Sequence, residues 1–324
     1  AIAIDRGVVF HDGHTLEAHG EGASAIAARF RTGSGASEIV SRVLVDARGA
    51  SSPYATADLI CPTVGGVLRG LATGDAPDEI DPDTGDILAT IDHADAQGRQ
   101  HVWEAFPGRD GEATVYLFHY ARAGAGGALL DLYARFFHER SRYKRGDATL
   151  VRPTFGFIPG WSRLTPAPRA PGRRMVLVGD AASRHSPLTM CGFGAMLRSF
   201  APAARAIVDA IETPRALSTL QRRVAHDAPI HAVAGALAAV MASGELRGDT
   251  LNALLDAAFG TLHCAGDATY GALLRDEMTP RAFASFLRGT AARAPSVYRD
   301  VIRSLGPAAI TRWGARVAYG AMVG

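Results

Sequence analysis

Apolar and polar positions change period several times along this chain, and each change marks an element. Residues 1–49 read as β structure. Val8-Val9-Phe10 is short and apolar, and His11-Asp12-Gly13-His14 supplies turn chemistry. Residues 25–31 and 39–45 flank TGSGAS at 32–37, a hairpin signature in which glycine supplies positive φ. The second of these strands ends in VLVDARG at 43–49, a run apolar enough to be buried on both faces. Strand alternation returns at 102–106 and 114–120, around a turn at PGRDG, and predicts a hairpin rich in aromatic residues. Leu129, Leu130, Leu132, Tyr133, Phe136 and Phe137 follow at helix spacing. A short buried strand, MVLV at 175–178, comes next. From Gly192 the stripe Phe193, Met196, Leu197, Phe200, Ala204, Ile207, Val208, Ile211 predicts an amphipathic helix, with Arg198, Arg205, Asp209 and Glu212 opposite and a bend at Pro202. From about residue 215 onward the pattern is helix after helix, separated by Gly and Pro.

A length of 324 residues suggests about two domains. The net charge of +2 is too even for a nucleic-acid footprint, and 48% hydrophobic with 20% charged residues excludes a disordered chain. Lys144 is the only lysine. Cys61, Cys191 and Cys264 are odd in number and far apart, which argues against a disulfide framework and a cysteine-based zinc site and for a reducing compartment. No apolar run reaches the roughly 18 residues of a membrane span. The amino end has no signal-peptide pattern and no initiating Met, so the chain is expected to be cytoplasmic and to start partway through a longer protein.

The strongest constellation is MVLVGDAASRHSPLTMCGFG at 175–194. Gly179 permits close backbone approach, and Asp180 can accept hydrogen bonds from sugar or ribityl hydroxyls. A helix opening after Gly192 offers free N–H groups to an anion or an electron-rich ring edge. The same residues also suit an ordinary strand–loop–helix corner with a capping Asp.

VLVGDAA followed by SP and GFG resembles the second flavin-binding motif of FAD-dependent oxidoreductases of the aromatic-hydroxylase type. VLVDARGASS at 43–52 is similar to that family's other strand end, in the form seen in lycopene cyclases and their relatives. FGFIPGWSRL and WEAFP…TVYLFHY resemble the same lycopene-cyclase-like group. The resemblance covers most of residues 36–215. It implies an α/β fold of the FAD/NAD(P)-binding, aromatic-hydroxylase type. The expected layout is an FAD-binding domain from 1–60 and 150–215, a β-sheet substrate domain at 61–149 and a helical carboxyl-terminal region at 216–324. It also implies FAD held by Gly179, Asp180, Pro187, Gly192 and Gly194, with Asp46 and Arg48 at the other strand end. Arg48 is placed on the phosphates, with a structural ion pair as the alternative.

Such proteins open with strand–GxGxxG–helix, which cradles the pyrophosphate. Gly20-Glu21-Gly22-Ala23-Ser24-Ala25 matches GxGxxA, but no buried strand precedes it, and a hairpin explains the residues better. The first βαβ unit is therefore expected to be missing, leaving an incomplete Rossmann-like domain. A second GDA at 266–268 reads as a helix–helix turn, and Asp81, Asp83 and Asp92 as a solvated loop rather than a calcium site.

Two residues stand as catalytic candidates. His185 lies in the flavin loop, where it faces the isoalloxazine or solvent. Glu104 lies among aromatics; desolvation there would favour its neutral form and suit a general acid. Alternation turns it away from Trp103 and Ala105, which favours a solvent-facing side chain. Taken together, these features imply an FAD-dependent oxidoreductase, monooxygenase-like or lycopene-cyclase-like. Its substrate would be a large apolar, isoprenoid-like molecule over the aromatic sheet of Trp103, Phe106, Tyr116 and Phe118. NAD(P)H would be the reductant where the chemistry is redox. The alternative is a flavin-free carrier of an apolar ligand on the same fold. Residues 307–324, with Trp313, Val317, Tyr319 and Met322 set against Arg312 and Arg316, add a candidate peripheral membrane or partner contact.

Overall fold

A computed structural model describes residues 2–55, 57–95, 97–162, 164–165, 169–183, 192–224, 229–246, 249–274 and 278–323. In chain order the first elements are α1 (Ile2–Asp5), β1 (Thr15–Glu21), β2 (Ile26–Thr32), β3 (Gly35–Ser41), β4 (Leu44–Asp46) and β5 (Leu59–Leu71). Then come β6 (Asp86–Ala89), β7 (Val102–Pro107), β8 (Glu112–Phe118), β9 (Ala121–Arg122), α2 (Leu129–Tyr143), β10 (Gly146–Gly160) and β11 (Met175–Leu177). The remainder is helical: α3 (Gly192–Glu212), α4 (Leu217–Val224), α5 (Pro229–Ser243), α6 (Asp249–Ala265), α7 (Asp267–Leu274), α8 (Pro280–Arg293), α9 (Val297–Leu305) and α10 (Pro307–Val323).

Strands β1, β2 and β3 form an antiparallel meander whose second turn joins Thr32 to Gly35. The GxGxxA stretch lies at the end of β1 and in the β1–β2 turn, and no helix follows it. Its Glu21 is structural: the carboxylate accepts the backbone N–H groups of Arg173 at 2.7 Å and Arg174 at 3.0 Å. Val8-Val9-Phe10, expected as a strand, is exposed, and among the described residues no strand pairs with it. The expected strand 39–45 divides in two. Ser41 turns its hydroxyl onto the Val43 carbonyl, and the chain leaves the meander to pair in parallel with a different partner. That partner is β11, in the register Met175↔Leu44, Val176↔Val45, Leu177↔Asp46. Burial on both faces is not observed for this run, since Val45 is exposed. Among the described residues β4 has a strand on one edge only.

The largest sheet has the order β10-β5-β8-β7-β6, with β9 added to the start of β5. Its edge strand β10 begins at Gly146 and crosses the domain boundary expected between residues 149 and 150. One face packs on α2, where Trp103 stacks on Phe136 at 5.7 Å and lies 5.1 Å from Tyr143. Trp103 is thus part of the core on the α2 side and not of a ligand face. Lys144, just after α2, is buried and donates to the Pro77 carbonyl at 2.9 Å and the Glu79 carbonyl at 2.6 Å; it also pairs with Asp86 at 2.7 Å. On the opposite face, Leu59, Cys61, Val102, Phe118 and Tyr120 are sealed by α5, α6 and α9 through Val240, Met241, Leu251 and Val297. Phe118, expected to line a ligand, belongs to this seal.

The helix α3 is continuous through Pro202 and packs with Ala206 and Ala210 on Val176 and Leu220. The small residues face inward. Of the large stripe that predicted the helix, Leu197 at 61% and Phe200 at 70% exposure face out with Val208 and Ile211, while Ile207 packs on the inner cluster. At the carboxyl end Gly266, with φ of 84°, separates α6 from α7, the helix–helix turn expected there. The helix α10 lies against α5 and α9. Among the described residues, no helix is long and apolar enough to cross a membrane.

Candidate functional site

The parallel pair β4–β11 places the ends of two distant motifs side by side. The Val178 N–H donates to the Asp46 carbonyl at 3.1 Å, so the strands stay paired to their tips. Each tip then turns through a short 3-10 segment, Gly49–Ser51 on one side and Gly179–Ala182 on the other. Gly49 and Gly179 take φ of 63° and 58°, conformations a side chain would strain. A Cβ on Gly49 would come 3.9 Å from the Asp180 Cβ, and one on Gly179 would come 3.3 Å from the Met196 sulfur on α3. Asp180 is half-buried at this meeting point. In open parallel sheets, ligands bind outside the carboxyl ends of the strands, and this is such an end.

Asp46 and Arg48 form a closed unit. The Arg48 guanidinium donates to both Asp46 oxygens, Nε to Oδ1 at 3.0 Å and Nη2 to Oδ2 at 2.9 Å. The Arg48 N–H adds a bond to Oδ1 at 3.0 Å, and the Ser52 hydroxyl one to Oδ2 at 2.6 Å. Burial alone would raise the Asp46 carboxyl; the bonds from Arg48 and Ser52 outweigh it and hold the group at about 2. The ion-pair alternative for Arg48 is what the geometry contains. Gly192 opens α3 as expected, with Gly194 in its first turn. His185 and Pro187 lie outside the described residues.

Glu104 lies elsewhere, on β7, and it does not face solvent. It is 1% exposed, on the sheet face opposite α2. Next to the seal made by α5, α6 and α9, this face opens into a cavity of about 380 Å3 lined by Thr63, Glu104, Phe106, Tyr116, Thr154 and Gly156, among others. The hollow lies over Gly156, and Gly65 in the neighbouring strand is a close backbone crossing. A Cβ on Gly156 would meet nothing within 4 Å, whereas one on Gly65 would come 2.0 Å from the Val115 carbonyl oxygen. Burial pushes the Glu104 carboxyl up to about 7. Its Oε1 and the Thr154 hydroxyl are buried without a hydrogen-bond partner among the described residues. Cys61, on the same face but under the helices, has its thiol pushed up by burial, which makes it a poor nucleophile.

Sequence reading brought Phe106, Tyr116 and Glu104 into view but missed Thr154 and the two glycines. The signal available was FGF at 155–157, a glycine between outward aromatics on an edge strand. His101 and His119 were missed as well. Their rings lie 5.4 Å apart across the β7–β8 pair. Burial first, with the nearby arginines, lowers them to about 3 and about 4, so both are neutral.

No family model matches the chain, and no curated protein matches it either. Solved structures do. The halogenase PltM superposes with a TM-score of 0.53 at 13% identity, over 97% of this chain and 70% of its own. The flavin-dependent halogenase CmlS gives 0.51 at 13% identity, over 98% of this chain and 56% of its own. BexE, studied for oxidation during a biosynthesis, gives 0.50 at 14% identity, over 81% and 52%. The chain therefore shares the fold of these structures, two of them halogenases, and it spans little more than half the length of two of the three.

Proposed function

We propose that this chain forms the greater part of an FAD-dependent oxidoreductase. The flavin's ribityl segment would lie at the joint tip of β4 and β11, and a small apolar substrate in the cavity beside Glu104. The observation that carries the reading is the in-register parallel pairing of Leu44–Asp46 with Met175–Leu177, which puts Gly49, Gly179 and Asp180 around one strand-end cleft. Two glycines without side chains there, next to a half-buried acid, fit a chain of hydroxyl groups. When bound, FAD supplies hydride transfer or, once reduced by NAD(P)H, activation of dioxygen.

The chain's own residues bind and orient. Asp180 would accept hydrogen bonds from ribityl hydroxyls, and the start of α3 would present N–H groups to the ring edge. Asp46, Arg48 and Ser52 act as positioning residues, fixing the 46–52 loop against 179–182. Helices α5, α6 and α9 exclude water from the part of this face next to the cavity. With no cation beside it, Glu104 keeps a proton available near neutral pH, as a general acid requires; a bound cation would instead hold it as the carboxylate. The cavity is at the small end of ligand sites, roughly 300–1,000 Å3, and favours a compact ring system over a long isoprenoid. The cyclase reading rests on the sequence motifs alone.

The pyrophosphate end of FAD needs a strand–GxGxxG–helix unit. The open edge of β4 and the exposed stripe of α3 are the surfaces against which such a unit would pack. The test is flavin retention after incubation with excess FAD and desalting. In full-length protein that includes such a unit, wild type should stay yellow and Asp180→Ala should not; a yellow Asp180→Ala protein refutes the assignment. A second reading, the flavin-free carrier, is favoured by one observation: the only GxGxxA stretch forms a strand and turn instead of a phosphate cradle. Wild-type protein that never retains flavin would support it.

A further inference from the structure

Four residues occupy one cross-strand row on the cavity face. Thr154 of β10 pairs with Gly65 of β5, Gly65 with Tyr116 of β8, and Tyr116 with Glu104 of β7. With strands about 4.8 Å apart, the two ends of the row are roughly 14 Å apart at the backbone. Each end carries a buried polar atom that nothing in the described protein satisfies, Glu104 Oε1 and Thr154 Oγ1. Between them lie Gly65, which adds no side chain to the row, and the Tyr116 ring, with Phe106 edge-on to Tyr116 at 6.5 Å.

A buried carboxyl without a partner is costly, and the cost is recovered only when something pairs with it. None of the described residues lining the cavity is Arg, Lys or His, so the protein supplies no counter-ion and offers nothing to an anionic ligand. An acid beside two aromatic rings suits an ammonium group, which gains both charge pairing and cation–π attraction. The hydroxyl at the far end suits a neutral hydrogen-bonding group.

We infer that this cavity selects a flat arylalkylamine, its ammonium held by Glu104 between Phe106 and Tyr116 and its far end reaching Thr154. The inference deepens the substrate half of the function proposed above, and its test needs no flavin. Calorimetric titration of the purified chain would compare naphthylethylamine, naphthylethanol and naphthylacetate near neutral pH. The amine should bind about tenfold or more tighter than the alcohol, and the acetate weakest. Glu104→Gln should bring the amine down to the level of the alcohol. Thr154→Val should leave that preference intact and remove the gain made by a ring hydroxyl at the far end of the amine. Gly156→Leu, which projects into open space, should abolish binding of all three while circular dichroism stays native. Equal binding of amine and alcohol, tightest binding of the acetate, no binding of the amine, or an amine preference that survives Glu104→Gln overturns the inference. A chain that shows the preference but never retains FAD sinks only the cofactor reading. One that retains FAD without the preference sinks only this one.

Discussion

Leu177 and Asp46 stand opposite each other in the parallel ladder of β4 and β11, so the last residue of one strand meets the buried carboxylate that ends the other. Parallel pairing sends both chains out of the sheet at the same end, and the two glycine-bearing turns are thereby forced together. The carboxylate has no further role to play in the ladder; it is committed to Arg48 and Ser52, and through them it fixes where the 46–52 turn lies.

Asp46→Asn should therefore loosen the strand tip as well as the fold. It replaces a charge-assisted pair by neutral contacts, at an expected cost of about 2 kcal/mol. The pH dependence follows from the direction of the shift. The folded carboxyl is held at about 2, below its ordinary 3.8, so its contribution is complete above about pH 4 and is lost as the pH falls toward 2. Urea denaturation from neutral pH downward checks this, and an Asn variant with the wild-type acid slope would contradict it.

Glu104 should give the opposite slope. Its folded value of about 7 lies above the ordinary 4.5, so folding favours the protonated form. That contribution is complete below about pH 4.5 and is lost as the pH rises through 7. Glu104→Gln should remove the decline and be more stable than wild type at about pH 8. Denaturation midpoints of the two proteins at about pH 5 and about pH 8 decide the point; parallel declines would mean that the carboxyl is not buried as described.

The two glycines of the cavity face should respond oppositely to substitution. Gly65→Ala drives a methyl to within 2.0 Å of the Val115 carbonyl oxygen and 2.9 Å of the Tyr116 Cα, backbone atoms that cannot step aside. The expected cost is about 2–3 kcal/mol, typical of overpacking. Gly156→Ala meets nothing within 4 Å and should be neutral to within about 0.5 kcal/mol. Thermal unfolding of both variants tests the pair, and equal melting would show that Gly65 is not the tight crossing.

The parts of this molecule legible in the sequence were those set by local period. The 129–143 helix, the 102–118 hairpin and the strand-then-Gly-Asp corner were all read from spacing, and the two motif ends were assigned to one cofactor domain through resemblance. Cover was not legible. Alternation correctly separates Glu104 from Trp103, but which face is buried depends on α5 and α6, more than a hundred residues further along, and on α2 lying under Trp103. The same limit explains Phe118, which shares the face of Glu104 yet is sealed by those helices. The break at Ser41 was hidden because the residues on both sides are equally apolar, and only the distant β11 decides that Leu44 leaves the meander.

The exposed stripe of α3 carries the last prediction. Leu197, Phe200, Val208 and Ile211 all fall on one side of the helix and all face out, while Ala206 and Ala210 face in. An apolar stripe of this length is unusual on a helix whose other side packs on a parallel strand pair, since parallel strands are normally covered on both faces. Leu197→Glu together with Phe200→Glu should lower binding of a hydrophobic dye several-fold, yet shift the unfolding free energy by no more than about 0.5 kcal/mol per site, because neither side chain is packed. If dye binding is unchanged, the dominant apolar surface lies elsewhere. If instead stability collapses, the stripe is packed against something in solution, and the open edge of β4 is covered with it.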